Sequence, residues 1–225
     1  MKLRTILAAA AAAAASLGAA SAATISTADL ALCNGLSACV APGATVTGSP
    51  GSLQMKTVAG QQGLGVAGKT NGEIDFGEWL TVTFDSKVFI DAFKLVFLFN
   101  GPEFGDKNEE GLIRLTLGDG SIVDFNVRAI GEDKATVFTG LGSVANCGAT
   151  AASGAGCFLF SGRPLGDLVV ASIAFSAKNL PIAEGNNSDF ALAGIDYSEV
   201  PLPGAALLLL TGVGAVGLGR RRRAA

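Results

Sequence analysis

The last 26 residues, Val200 to Ala225, read VPLPGAALLLLTGVGAVGLGRRRRAA, and they limit what the rest of the chain can build. From Gly204 to Gly219 sixteen residues carry no charge and a single hydroxyl, Thr211. As a helix at about 1.5 Å per residue they span roughly 24 Å, a little under a hydrocarbon core of about 30 Å. Pro201 and Pro203 cannot sit inside a helical hydrogen-bond ladder, so they mark its outer edge. Arg220, Arg221, Arg222 and Arg223 hold the far end in the cytoplasm, because clustered arginine beside a short span resists translocation. A core helix of a soluble protein is the competing reading, but four consecutive arginines abutting the run have no use in a core. The stretch therefore predicts a single transmembrane helix, and any globular fold must be made upstream of it.

The order Val200-Pro201-Leu202-Pro203-Gly204, then a short apolar helix, then an arginine cluster resembles the PEP-CTERM class of bacterial sorting signals, in particular its VPLPA-CTERM variant. The resemblance covers these 26 residues; Gly204 stands where that variant carries alanine. It implies recognition by an exosortase, a membrane transpeptidase that removes the tail and transfers the protein to the envelope or its polysaccharide matrix.

The other end reads as a secretory signal over residues 1–22. Lys2 and Arg4 form a positive start, Ile6 to Leu17 an apolar core, and Ala20-Ser21-Ala22 an A-x-A site for signal peptidase, with cleavage one residue later as the alternative. Residues 23–199 remain as one ectodomain of 177 residues, long enough to bury a core. It keeps ten lysines and arginines against nineteen acids, a net charge of about −9. An acidic surface does not neutralise phosphates, so nucleic acid is excluded as a partner. The chain has no histidine, which rules out Ser-His-Asp and Cys-His catalysis and histidine-type zinc sites.

The cysteines form two local pairs, Cys33 with Cys39 and Cys147 with Cys157. After export, two short-loop disulfides are the simplest of three connectivities. The competing reading, one metal ion held by four thiolates, wants a C-x2-C spacing that neither pair has.

Between turn residues the ectodomain consists of short β-branched and aromatic runs. Ala31 to Gly51 and Gly140 to Gly156 read as loops. Strands are expected at Gln54 to Val58, Gly72 to Phe76 and Trp79 to Phe84, and along Lys87 to Phe99 with a bend near Asp91. Further strands follow at Leu112 to Leu117, Ser121 to Arg128, Thr136 to Thr139, Cys157 to Phe160, Asp167 to Ala177 and Phe190 to Val200. Gly118-Asp119-Gly120 gives the clearest hairpin turn. No stretch sustains a helical apolar period over three turns. The expected fold is all-β, an antiparallel, jelly-roll-like β-sandwich flanked by an N-terminal signal helix and the C-terminal transmembrane helix. Its strand layout loosely resembles discoidin-like and galactose-binding-like sandwiches. Trp79 is expected in the core, and the glycine spacing of Gly60 to Gly72 lacks the helix and lysine context of a nucleotide site.

Chemistry is expected, if anywhere, in Asn100 to Glu110, read as an exposed loop. Glu103, Asp106, Asn108, Glu109 and Glu110 place five oxygen-bearing side chains in eight residues. Such a set suits a structural calcium ion, although its order departs from the EF-hand loop. No other cofactor is implied. Two functions follow: an exported, non-enzymatic cell-surface or matrix protein associated with exopolysaccharide, or a secreted carbohydrate-active enzyme using the acidic loop 103–110. The missing histidine and the scarcity of aromatics suited to stacking on sugars favour the first. The route runs through the inner membrane, as an anchored intermediate, to the envelope, surface or extracellular matrix.

Overall fold

Alternation beginning at Trp79 sets the architecture: Leu80, Val82, Phe84, Val88 and Ile90 are buried, whereas Thr81 and Thr83 face outward. The computed structural model describes residues 21–103, 106–131, 134–148, 156–179 and 188–201. The expected signal thus lies outside the described residues apart from Ser21 and Ala22, and the sorting tail apart from Val200 and Pro201. Among the described residues no helix is long and apolar enough to cross a membrane.

The described residues open with β1 (Ala22–Ile25) and a short helix, α1 (Thr27–Ala31). Ser26 opens the helix with a reciprocal cap: its hydroxyl accepts from the Asp29 N–H while its own N–H donates to the Asp29 carboxylate. Two hairpins follow, β2 (Ala38–Ala41) with β3 (Ala44–Ser49) and β4 (Leu53–Val58) with β5 (Gln61–Val66). Next come the eighteen-residue strand β6 (Trp79–Val96) and a small separate hairpin, β7 (Asn100–Glu103) with β8 (Asp106–Asn108). The remainder is β9 (Glu110–Leu117), β10 (Ile122–Gly131), β11 (Lys134–Val137), β12 (Ser143–Gly148), β13 (Cys157–Ser161), β14 (Val170–Ala177) and β15 (Ala191–Glu199).

β6 passes from one layer into the other. Its first residues pair with β3 and β14, its last with β13 and β15. One layer therefore runs β2-β3-β6-β14-β9-β10-β11 and the second β12-β13-β6-β15-β5-β4, with β1 also on β15. All pairings between these strands are antiparallel, and the fold is all-β and sandwich-like, as the short alternating runs require. Side chains meet between the layers: Phe175 of the first meets Phe93 of the second edge-on, with centroids 6.1 Å apart, and Phe93 stacks on Phe160 at 4.8 Å. Phe84 and Tyr197 close the other end of the core at 4.9 Å.

Several local expectations are corrected. Ala31 to Gly51 is not a loop; the Pro42-Gly43 turn joins β2 to β3, and Cys33 is bonded to Cys39 beside them. Gln61–Val66 is a strand in spite of its glycines, and its neighbours need them: a Cβ on Gly63 would sit 2.6 Å from the Ala191 Cβ, and one on Gly65 2.5 Å from the Glu73 backbone. Gly72 to Phe76 is not a strand but a loop with two isolated bridges, Val66↔Glu73 and Phe76↔Ala177. Ser143–Gly148 is a strand within the expected Gly140 to Gly156 loop, paired with β13 and joined to it by Cys147–Cys157. The bend near Asp91 takes the form of a bulge: Tyr197 pairs with Ile90 and Asp196 with Ala92, leaving Asp91 over. Trp79 is not in the core. Because Leu80 takes the inward position, Trp79 points outward, half-buried, with the Arg114 guanidinium 5.0 Å above its ring.

Phe93, 1% exposed and in contact with both layers, is the test of this core. Phe93→Ala is expected to cost about 3–5 kcal/mol, read as a lower urea midpoint at unchanged slope.

Candidate acidic site

Burial of charge in this domain is one-sided. Among the described residues the buried charged side chains are Glu73, Asp75, Glu78, Glu109, Glu110 and Asp189, all carboxylates. They belong to one end of the sandwich. The Ile74 N–H donates to the Phe190 carbonyl at 2.6 Å, and Ala177 bridges Phe76 while pairing with Gly111. The Glu110 N–H donates to the Ser188 hydroxyl at 3.2 Å.

The loop after β5 folds around its own carboxylates. Glu78 accepts from the Lys69 N–H at 2.8 Å and the Asp75 N–H at 3.1 Å, and Asp75 accepts from the Thr70 N–H at 2.6 Å. Lys56 pairs with Glu73 at 2.8 Å, and the Lys69 ammonium lies 3.7 Å from Asp75. Gly68 leaves room for the Glu78 carboxylate, which a Cβ at that position would displace. Backbone donors thus satisfy buried acids that the unfolded chain leaves to water.

Asp189 enters this group from the segment before β15. Burial, then the fields of Glu73 and Asp75, push its carboxyl up to about 8, against the opposing pull of Lys56 and Lys69. Burial also raises Glu73, although its bond from Lys56 works the other way. A side-chain hydrogen bond with Asp189 lowers Glu73 in turn, so the two carboxyls together keep a proton to higher pH than free carboxyls do.

The second group contains two residues expected in the exposed acidic loop. Glu109 and Glu110 are instead buried, 6% and 5% exposed. Glu109 accepts from the Phe99 N–H, and Glu110 pairs with Lys178 at 2.5 Å and lies 4.0 Å from the Arg128 Nε. Glu103 and Asp106 face each other in the β7–β8 hairpin, and Asn108 pairs with Asn100; the side chains of Glu103 and Asp106 lie outside the described residues. Among the described residues, no group of three or more acidic or cysteine side chains is placed to hold a metal ion. Both expected cysteine pairs are disulfides. Val200 and Pro201 follow β15 directly, whereas Leu202, Pro203, Gly204 and Arg220 to Arg223 lie outside the described residues.

Sequence reasoning missed Glu73, Asp75, Glu78 and Asp189. The available signal was E-x-D-x-x-E at Glu73 to Glu78, three carboxylates in six residues four positions after Lys69. Each of the five described buried carboxylates other than Asp189 has a donor inside the protein, so the arrangement pins two segments to the end of the sandwich. Comparison with family models, with curated proteins and with solved structures finds no match for this chain.

Asp189 makes stability depend on pH. A free carboxyl titrates near 3.9 and the folded one near 8, so its contribution is complete below about pH 4 and is lost as pH rises to about 8. Asp189→Asn keeps a donor and removes the charge. The variant is expected to melt above the wild type at pH 9 and to lose that advantage at pH 5; parallel melting curves from pH 5 to 9 would count against the shared proton.

Proposed function

We propose that this chain is an exported bacterial cell-surface or matrix protein with a non-enzymatic, polysaccharide-associated role. Residues 1–22 direct it through the general secretory route. The tail from Val200 holds it at the inner membrane until an exosortase-type enzyme acts. The observation that carries the reading is the position of the motif: β15 makes its last pair at Glu199 with Val88, and Val200-Pro201 begins at once, with Pro201 exposed. A cut after the motif leaves every described hydrogen bond of the sheet in place. The two disulfides add support, because such bonds persist in oxidising compartments. Engagement of Glu109 and Glu110 inside the fold favours the structural role over a glycosidase built on that loop. The jelly-roll-like course and the likeness to galactose-binding-like sandwiches belong to the same proposal.

Mass spectrometry of the envelope-associated protein tests it. The expected product lacks residues 1–22 and everything beyond about Gly204, and Pro201→Ala with Pro203→Ala should accumulate the uncut precursor. Arg220 to Arg223 retained on the mature protein would overturn processing and leave a plain anchor.

A further inference from the structure

The two layers differ in what they show to solvent. The outward positions of β6 and β15 in the second layer include Asp91, Lys94 and Asp196. In the first layer the outward positions of β3, of β6 from Trp79 to Thr83, and of β14 hold threonine, serine, alanine and Trp79, and charge returns on β6 at the exposed Asp85 and Lys87, on an ectodomain of about −9. Register places these hydroxyls in rows. Thr45 pairs with Thr83, Thr83 with Ser172 and Ser172 with Thr116, one row across four strands. In the neighbouring row Thr47 pairs with Thr81, then come Ala174 and Arg114. Arg114 is neutralised by two 2.8 Å bonds to Asp124 and lies over Trp79.

Strands about 4.8 Å apart make the first row roughly 14 Å long, with the second roughly 7 Å from it. The row continues from Thr116 to the exposed Ile122, and along the strands, past Thr83 and Thr116, lies a cleft of about 290 Å³ lined by Lys87, Leu117, Gly118, Asp119 and Val169. Among the described residues the hydroxyls of Thr45, Thr47, Thr81, Thr83, Thr116 and Ser172 have no hydrogen-bond partner, whereas those of Thr24, Ser26, Thr27, Ser121 and Thr139 do.

We infer that this face, from Trp79 and Arg114 across the threonine rows to the Lys87–Asp119 cleft, binds a neutral, extended polysaccharide. The inference rests on the polysaccharide-associated role proposed above and assigns its site. Three physical arguments select the occupant. Six free hydroxyls beneath a dry protein interface would each lose water without replacement, a cost of about 1–3 kcal/mol apiece. A glycan offers donors and acceptors in kind and tolerates bridging water. A polyanion would meet the field of an acidic domain with no basic patch on this face to offset it. The low side chains of Thr, Ser and Ala let an extended polymer lie along the rows, with the half-buried Trp79 at one end.

The test uses the full chain purified in detergent, with cellulose and curdlan as neutral probes and alginate as the anionic one. Thr81→Val with Thr83→Val keeps shape and strand propensity while removing two hydroxyls, and Ser172→Ala with Thr116→Val does the same one strand over. Thr57→Val on β4 is the control, and unchanged melting certifies the fold of each variant. Binding to a neutral glucan should weaken about tenfold in both double variants and stay unchanged in the control. Neutral-glucan binding that survives both double substitutions overturns the face and leaves the polysaccharide role standing. Preference for alginate overturns the neutral-ligand assignment. Binding to none of the three removes the polysaccharide role and the face with it. A concentration-dependent dimer abolished by Thr81→Val with Thr83→Val would reassign the face to a second copy of the chain.

Discussion

One strand belongs to both layers of this sandwich, and the rest of the structure depends on it. β6 is hydrogen-bonded along both edges, to β3 and β14 early and to β13 and β15 late, so its single run fixes the register of four neighbours. A one-residue slip would exchange Leu80, Val82 and Phe84 for Thr81 and Thr83 in the core, a swap of apolar for hydroxyl on several strands at once. The crossing is managed by irregularity. Between its pair with Ser172 at Thr83 and its pair with Val170 at Val88, four residues of β6 stand against one of β14. There the strand turns from one layer into the other, and the Phe93–Phe160–Phe175 cluster fills the space between them.

Legibility in the sequence followed side-chain contrast. Trp79 to Phe84 and Leu112 to Leu117 alternate sharply, and both proved to be strands; Gly118-Asp119-Gly120 made the expected turn, with Gly120 at φ +87°. β5 and β12 were invisible because glycine, alanine and serine supply little contrast, although close approach of Glu73, Val96 and Ala191 is what demands those glycines in β5. Gly72 to Phe76 failed in the opposite sense. A strand there would set Ile74 and Phe76 on one face and Glu73 and Asp75 on the other, whereas Phe76 is 60% exposed and Glu73 and Asp75 are buried. Backbone donors folded back on the carboxylates reverse the usual preference, and local pattern does not encode such donors. The same blindness hid Asp189, which sits far along the chain from the lysines and acids that surround it.

Charge is distributed so that the two ends and faces have different characters. Carboxylates are drawn into one end and answered there by N–H groups, lysines and a retained proton, while the outward positions of β3, of β6 from Trp79 to Thr83, and of β14 are left without charge. A net charge of about −9 is therefore not spread evenly: part of it is internal, and its electrostatic reach into solvent is reduced accordingly.

The pairing of β1 with β15 has a mechanical consequence. Ala22 lies opposite Ser198, so the chain enters and leaves the domain at neighbouring points. Tension applied between those two points would peel β1 from β15 one hydrogen bond at a time. Tension entering through Glu199 alone instead runs along the axis of β15, which β6 grips over almost its whole length, with β1 and β5 on the other edge. Its ladder bonds lie across that axis and share the load in shear. A domain hung from its last strand is thus loaded along its most resistant direction.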